Sequence, residues 1–154
     1  MFDILQEFLA LIRAFREEGL DYAVCGGFAM AVHGFIRATE DIDILIAPES
    51  LTQARQVAAT CGFRLRGTEI EFRSGAKLAR VLKVAPAGED YLLLDLMLVS
   101  PATRAAWDSR VDQSTPWGPI RVVSREALKA MKRQAGRPQD LVDVERMETP
   151  DDLS

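Results

Sequence analysis

Cysteine, histidine and long apolar runs are all scarce in this chain, and each shortage removes a class of function. The two cysteines, Cys25 in an apolar strand pattern and Cys61 near a helix end, form no CxxC pair, and His33 is the sole histidine. A disulfide framework, a Cys/His zinc site and a Ser–His or Cys–His nucleophilic centre therefore lack their parts, and both thiols read as reduced. Apolar stretches are broken by Gln6, Glu7, Arg13 or Asp95 well short of about 18 residues, and Met1-Phe2-Asp3 offers no basic leader. The expectation is a cytoplasmic protein, neither exported nor membrane-spanning. There is no Walker A or GxGxxG pattern and no internal repeat. Nor is there an excess of positive charge: a net charge of −4 argues against broad, sequence-independent nucleic-acid binding.

What remains is an ordinary globular composition. The 154 residues, 48% hydrophobic and 27% charged, fit one domain spanning 1–154, with its core at about 20–147 and an acidic tail at 148–154. Basic residues gather locally: Arg121, Arg125, Lys129, Lys132, Arg133 and Arg137 stand against Glu126 alone.

Phe2, Leu5, Phe8, Leu9, Ile12 and Phe15 recur at helical spacing, which predicts a helix over 2–18 stopped by Gly19. Tyr22–Cys25 reads as a short strand, Gly26-Gly27 as a break, and 28–32 as a helix. Asp41–Ile46 alternates with strand period and ends at Pro48, ahead of a helix over 50–60 with Ser50 as its N-cap. Residues 63–72, 79–84 and 91–99 read as a meander of strands, the last two joined at 86–90. A short helical piece up to Trp107, a strand pair around 111 and 120–123, and helices at 124–135 and 138–147 complete the pattern. Gly136 and Pro138 punctuate those two helices. The order predicts an α/β (α+β) fold, a mixed sheet of about five strands flanked by helices.

The chemistry concentrates in three aspartates. Side chains alternate along a strand, so Asp41 and Asp43 share one face, about 6.5 Å apart, while Ile42, Ile44 and Ile46 face the core. Asp95 interrupts the apolar run Leu92–Leu98 and joins them if its strand lies beside 42–46 at about 4.8 Å. Three clustered carboxylates repel, a divalent cation relieves the repulsion, and hard oxygen ligands suit magnesium or manganese. Such a centre serves phosphoryl or nucleotidyl transfer. The structural alternative makes Asp41 and Asp43 turn and strand-edge residues and pairs Asp95 with a nearby arginine. Gly26-Gly27, between strand and helix, suits either phosphate or a tight turn. Arg125, Lys129, Lys132 and Arg133 form one helix face that is either solvated or phosphate-binding. Asp140 and Asp143 open the last helix, where acids complement the dipole without any other role. Trp107 and Trp117 suit packing or base stacking.

The run Cys25-Gly26-Gly27 through Arg37-Ala38-Thr39-Glu40-Asp41-Ile42-Asp43 resembles the signature of the DNA polymerase β-like nucleotidyltransferase superfamily, a Gly-Gly turn followed by an Asp-x-Asp strand. Thirteen residues separate Gly27 from Asp41. Within the superfamily the chain is most similar to the AbiEii-type toxin and lincosamide-type antibiotic nucleotidyltransferase branches, with Arg37 and Thr39 in the approach to the carboxylates and Lys132 and Arg137 through Asp140 resembling a late Lys and Arg-x-x-Asp pattern. The resemblance implies that Gly26 and Gly27 hold triphosphate, with Arg37, Thr39, Lys132 and Asp140 as further nucleotide-site residues. It implies that Asp41, Asp43 and Asp95 bind Mg2+ or Mn2+, and that Asp95 assists activation of the acceptor hydroxyl. The implied reaction moves a nucleoside monophosphate from a nucleoside triphosphate to a hydroxyl of a small molecule, protein or tRNA. The alternative is a catalytically weak, nucleotidyltransferase-like antitoxin or regulatory partner. Members acting on antibiotics or RNA usually add a helical region for the acceptor, which this chain lacks, so a homodimer or protein partner is expected to complete the site.

Overall fold

The computed structural model describes residues 2–149; the acidic tail beyond them lies outside the described residues. The elements run α1 (Ile4–Glu17), β1 (Ala23–Cys25), α2 (Gly26–Val32), β2 (Asp41–Ile46), α3 (Leu51–Thr60), β3 (Leu65–Glu71), β4 (Lys77–Val84), β5 (Tyr91–Leu98), α4 (Arg104–Asp108), β6 (Val111–Thr115), β7 (Gly118–Val122), α5 (Arg125–Ala135) and α6 (Pro138–Glu148). The sheet has seven strands in the order β3-β4-β5-β2-β1-β7-β6. The expected total of about five was low, although the segments read as strands in the sequence include both β1, only three residues long, and β6, Val-Asp-Gln-Ser-Thr, with its almost wholly polar, exposed pattern. β6 is held by its hairpin partner β7 rather than by burial.

The sheet is mixed. β2 runs antiparallel to β1 and parallel to β5, and β1 runs parallel to β7. Ile42, Ile44 and Ile46 are completely buried, with Leu94, Leu96 and Val81 among the residues of the same core. α1 and α3 cover this face: Glu7 of α1 receives both its hydrogen bonds from Lys83 of β4, and Arg55 of α3 reaches Glu69 of β3. Phe8, Leu11, Ile12 and Phe15 form the buried stripe of α1, and Phe8 stacks on Phe28 of α2 at 4.2 Å between ring centroids. Full burial of each such side chain contributes roughly 1.5–3 kcal/mol.

Two local expectations change. Ser50 stands at the N-cap position of α3, but it has αR geometry and its side chain caps nothing, because Pro48–Ser50 is a 3₁₀ turn feeding directly into α3. Gly26 and Gly27 are the first turn of α2 rather than a break before it. Asp3 caps α1, Ser124 caps α5, and Gly136 closes α5 in the left-handed region at φ 66°. Among the described residues no helix is long and apolar enough to cross a membrane.

Candidate active site

Register decides where the aspartates meet. In the parallel β2–β5 pair Asp43 stands opposite Asp95, and in the antiparallel β4–β5 pair Asp95 stands opposite Arg80. Cys25 stands opposite Asp43 across β1–β2. One row across the sheet therefore reads Arg80, Asp95, Asp43, Cys25, and Asp41 lies one step back on the same face. This face forms a cleft of about 960 Å³, large enough for a nucleotide. All nine residues singled out in the sequence line it: Asp41, Asp43 and Asp95, then Gly26, Gly27, Arg37 and Thr39, and across the cleft Lys132 and Asp140.

The three carboxylates are not equivalent. Arg80 holds Asp95 in a bidentate pair, Nε donating to Oδ1 at 2.8 Å and Nη2 to Oδ2 at 3.0 Å, and the Asp95 side chain is almost wholly buried. The arginine pairing weighed as the structural alternative is thus present. Asp41 and Asp43, by contrast, accept no side-chain hydrogen bond among the described residues, which contain no cluster of three His, Cys, Asp or Glu at metal-holding spacing. Burial, followed by the charges of Asp95 and Asp41, pushes the Asp43 carboxyl up to about 7. Burial and then Asp95 also raise Asp41. A divalent cation fits this arrangement. Its ligands would be the hard oxygens of Asp41 and Asp43, whose ionisation is disfavoured for want of a countercharge, and Asp95 would join by exchanging Arg80 for the cation.

The glycines serve the carboxylates directly. A Cβ on Gly26, whose φ is +65°, would lie 2.2 Å from Asp43 Oδ2. A Cβ on Gly27 would lie 2.6 Å from Thr39 Oγ1. Both positions need the missing side chain for close approach. Thr39 donates to the Asp41 carbonyl at 3.1 Å, fixing the entry into β2.

Across the cleft, α5 and α6 are joined through Asp143, which is completely buried. It accepts from Lys132 Nζ at 2.8 Å, from Gln139 Nε2 at 2.9 Å, and from Arg37 Nη1. Burial works against its ionisation, but the bonds from Lys132 and Gln139 and the charges of Lys132 and Arg37 bring its pKa below the ordinary value. Lys132 is itself buried, with Asp140 as a second carboxylate at 3.8 Å. Asp140 is taken up by Arg137, through Nε at 2.7 Å, Nη2 at 3.2 Å and the main-chain N at 3.2 Å. Arg137 bears its charge toward Asp41 and Asp43.

Each residue of the basic face of α5 thus has a partner, although Arg125 and Arg133 stay exposed. Lys132 holds Asp143, Arg133 pairs with Glu148, Arg125 donates to the Met147 carbonyl, and Lys129 pairs with Glu126. Sequence reasoning missed Arg80 and read Asp143 only as a helix-opening acid. Arg80 carried a signal, an arginine within the apolar alternation Leu78–Leu82. Asp143 carried only the helix-dipole signal shared by any early helical acid.

The sequence matches the family described as nucleotidyl transferase AbiEii toxin, type IV toxin–antitoxin system, over residues 8–154. The chain belongs to the AbiEii family. No curated protein matches it. Solved structures show that the AbiEii fold here is that of nucleotidyltransferases. A Thermotoga maritima protein assigned to the nucleotidyltransferases superposes with a TM-score of 0.64 at 14% identity, covering 94% of this chain and 91% of that one. ANT(2'')-Ia, solved in complex with adenylyl-2''-tobramycin, gives 0.64 at 20% identity, covering 93% of this chain and 87% of that one. JHP933 from Helicobacter pylori gives 0.60 at 12% identity, covering 93% of this chain and 63% of that one.

Proposed function

We propose that this AbiEii-family chain transfers a nucleoside monophosphate from a nucleoside triphosphate to a hydroxyl acceptor in a metal-dependent reaction. The observation that carries the reading is the β2–β5 register, which sets Asp43 against Asp95 with Asp41 beside them in a nucleotide-sized cleft. Magnesium or manganese, when bound, would neutralise charge on the triphosphate and favour the attacking oxygen. Asp41 and Asp43 would hold it, and Arg137 adds positive charge facing both. Gly26 and Gly27 let the chain come close to the triphosphate, with Arg37 and Thr39 ordering that side.

Lys132 is the buried cation next to the nucleotide half, poised by Asp143 and Asp140. Asp95 stands next to the reacting centre as the group that receives the acceptor proton. The acceptor oxygen forms a bond to the α-phosphorus, the α–β phosphoanhydride bond breaks, pyrophosphate leaves, and the proton passes through Asp95 to solvent. The test is calorimetric titration of ATP, GTP, CTP and UTP with magnesium into the wild type and Asp43→Asn. Metal-dependent binding that the variant loses supports the reading, and a folded wild type that binds none of the four ends it.

One observation favours a second reading. Arg80 occupies both oxygens of Asp95, as a catalytically weak, nucleotidyltransferase-like antitoxin or regulatory partner would tolerate. Under that reading Arg80→Ala confers no nucleotide turnover, and the protein copurifies with a neighbouring gene's product.

A further inference from the structure

The cleft has a second half that the proposed chemistry does not use. Two residues further along β5 from Asp95, and on the same face, is Met97, opposite Leu78 of β4, which in turn stands opposite Ile70 of β3. Ile70, Leu78 and Met97 thus form an apolar row next to the polar row of Arg80, Asp95 and Asp43. Phe72, 44% exposed, extends it at the β3–β4 turn. All four residues line the cleft. Phe72 is fixed by its main chain, its N donating to the Ala76 carbonyl at 2.8 Å and its carbonyl accepting from Gly75 N at 2.9 Å.

Along the strands the row lies on the other side of Asp95 from Gly26 and Gly27, which follow Cys25 opposite Asp43, so in the proposed reaction it stands on the side from which the acceptor arrives. Its chemistry limits the acceptor. On this face β3 and β4 present Arg80 and no free carboxylate: Glu69 and Glu71 pair with Ala79 and Lys77 in register, on the opposite face, and Asp95 is neutralised by Arg80. The cleft's other acids, Glu40, Asp41 and Asp43, lie level with Asp95 or beyond it, so at this row a polyamine sugar would meet no anion, whereas a flat ring would find an aromatic side chain and a methionine. The spacing is also set. Asp95 and Met97 are separated by about 6.7 Å along the strand, so a hydroxyl over Asp95 and a ring over Met97 belong to one small unit.

We propose that Ile70, Phe72, Leu78 and Met97 form the acceptor subsite, and that it selects a hydroxyl carried a few bonds from a flat, uncharged ring. The inference rests on the nucleotidyl-transfer reading, and its test separates the two. Protein labelled with ¹³C at the methionine methyls is titrated with adenosine and, separately, with tobramycin. Met97 reports on the acceptor strip and Met131 of α5 reports on the opposite wall. Adenosine is expected to shift Met97, with affinity weakened about tenfold in Phe72→Ala, and tobramycin to leave Met97 unmoved.

The proposal is overturned if adenosine moves Met131 alone or neither methyl, if Phe72→Ala binds it as tightly as wild type, or if tobramycin is the probe that shifts Met97. Magnesium-dependent binding of nucleoside triphosphate, measured on the same two proteins, is expected to be equal. Its presence alongside a failed adenosine result removes the acceptor subsite while the transferase reading stands.

Discussion

Arg80 and Asp95 are direct cross-strand partners, and the guanidinium spans both carboxylate oxygens at 2.8 and 3.0 Å. The pair fixes the third carboxylate in place where three acids would otherwise repel. It also makes Arg80 the internal competitor of any cation that takes Asp95.

Removing Arg80 should expose that competition. Arg80→Ala leaves a nearly buried carboxylate uncompensated next to Asp43. A loss of about 1–3 kcal/mol is expected in urea unfolding of the metal-free protein, the arginine's partial exposure keeping it below the fully buried case. Saturating magnesium should restore more stability to Arg80→Ala than to wild type. Equal magnesium responses would show that Asp95 does not face the cation.

Asp43 sets a pH dependence. Its folded pKa of about 7 lies above its unfolded value near 4, so between those limits the folded state holds a proton that the unfolded chain has released. Stability of the metal-free protein should therefore fall as pH rises from about 4 to about 7 and level off above. Burial lowers the pKa of His33 and tilts stability the other way, so the informative quantity is the difference between wild type and Asp43→Asn. Unfolding midpoints at half-unit pH steps should show the downward slope in wild type and a shallower one in the variant, where the raised Asp41 still contributes.

Gly26 has no room for a methyl group. Gly26→Ala places Cβ against Asp43 Oδ2 at a positive φ, and is expected to cost about 1–3 kcal/mol and to weaken magnesium-dependent nucleotide binding together. Gly27→Ala meets the Thr39 hydroxyl instead, which can rotate away, so its stability loss should be the smaller. Thermal unfolding and calorimetry on the two variants give the order.

Asp143 holds the α5–α6 pair. Asp143→Ala leaves Lys132 buried with only Asp140 at 3.8 Å, and a loss of roughly 3–5 kcal/mol is expected. Because the folded pKa of Asp143 is depressed, its contribution is present above the unfolded carboxylate range and disappears as pH falls through the folded value. Acid unfolding of wild type should therefore be steeper than that of Asp143→Asn.

The carboxylates were readable from the sequence because strand period and the rarity of Asp inside an apolar strand are local signals. Ile42, Ile44 and Ile46 fixed which face Asp41 and Asp43 share, and Asp95 inside Leu92–Leu98 marked the neighbouring strand. What stayed hidden was set by register between distant segments. Arg80 meets Asp95 only because the β4–β5 turn has its particular length, and Asp143 meets Lys132 and Arg37 only once α6 folds back on α5. β6 was legible only as one half of a strand pair around 111, since its polar residues form a strand through pairing alone. The basic face of α5 was legible as a face but not as a seam, since its partners on α6 are not implied by periodicity.

The parallel pairing of β2 with β5 also has a temporal meaning. Its partners lie some fifty residues apart, so the chain must close a long loop before Asp43 and Asp95 stand together. The Lys132–Asp143 contact forms later still in synthesis from the N-terminus. A nascent chain thus keeps its acids apart until β5 has emerged and lacks the Lys132–Asp143 wall of the cleft until α6 has emerged, so a fragment ending before α6 is expected to present the acids without a complete cleft.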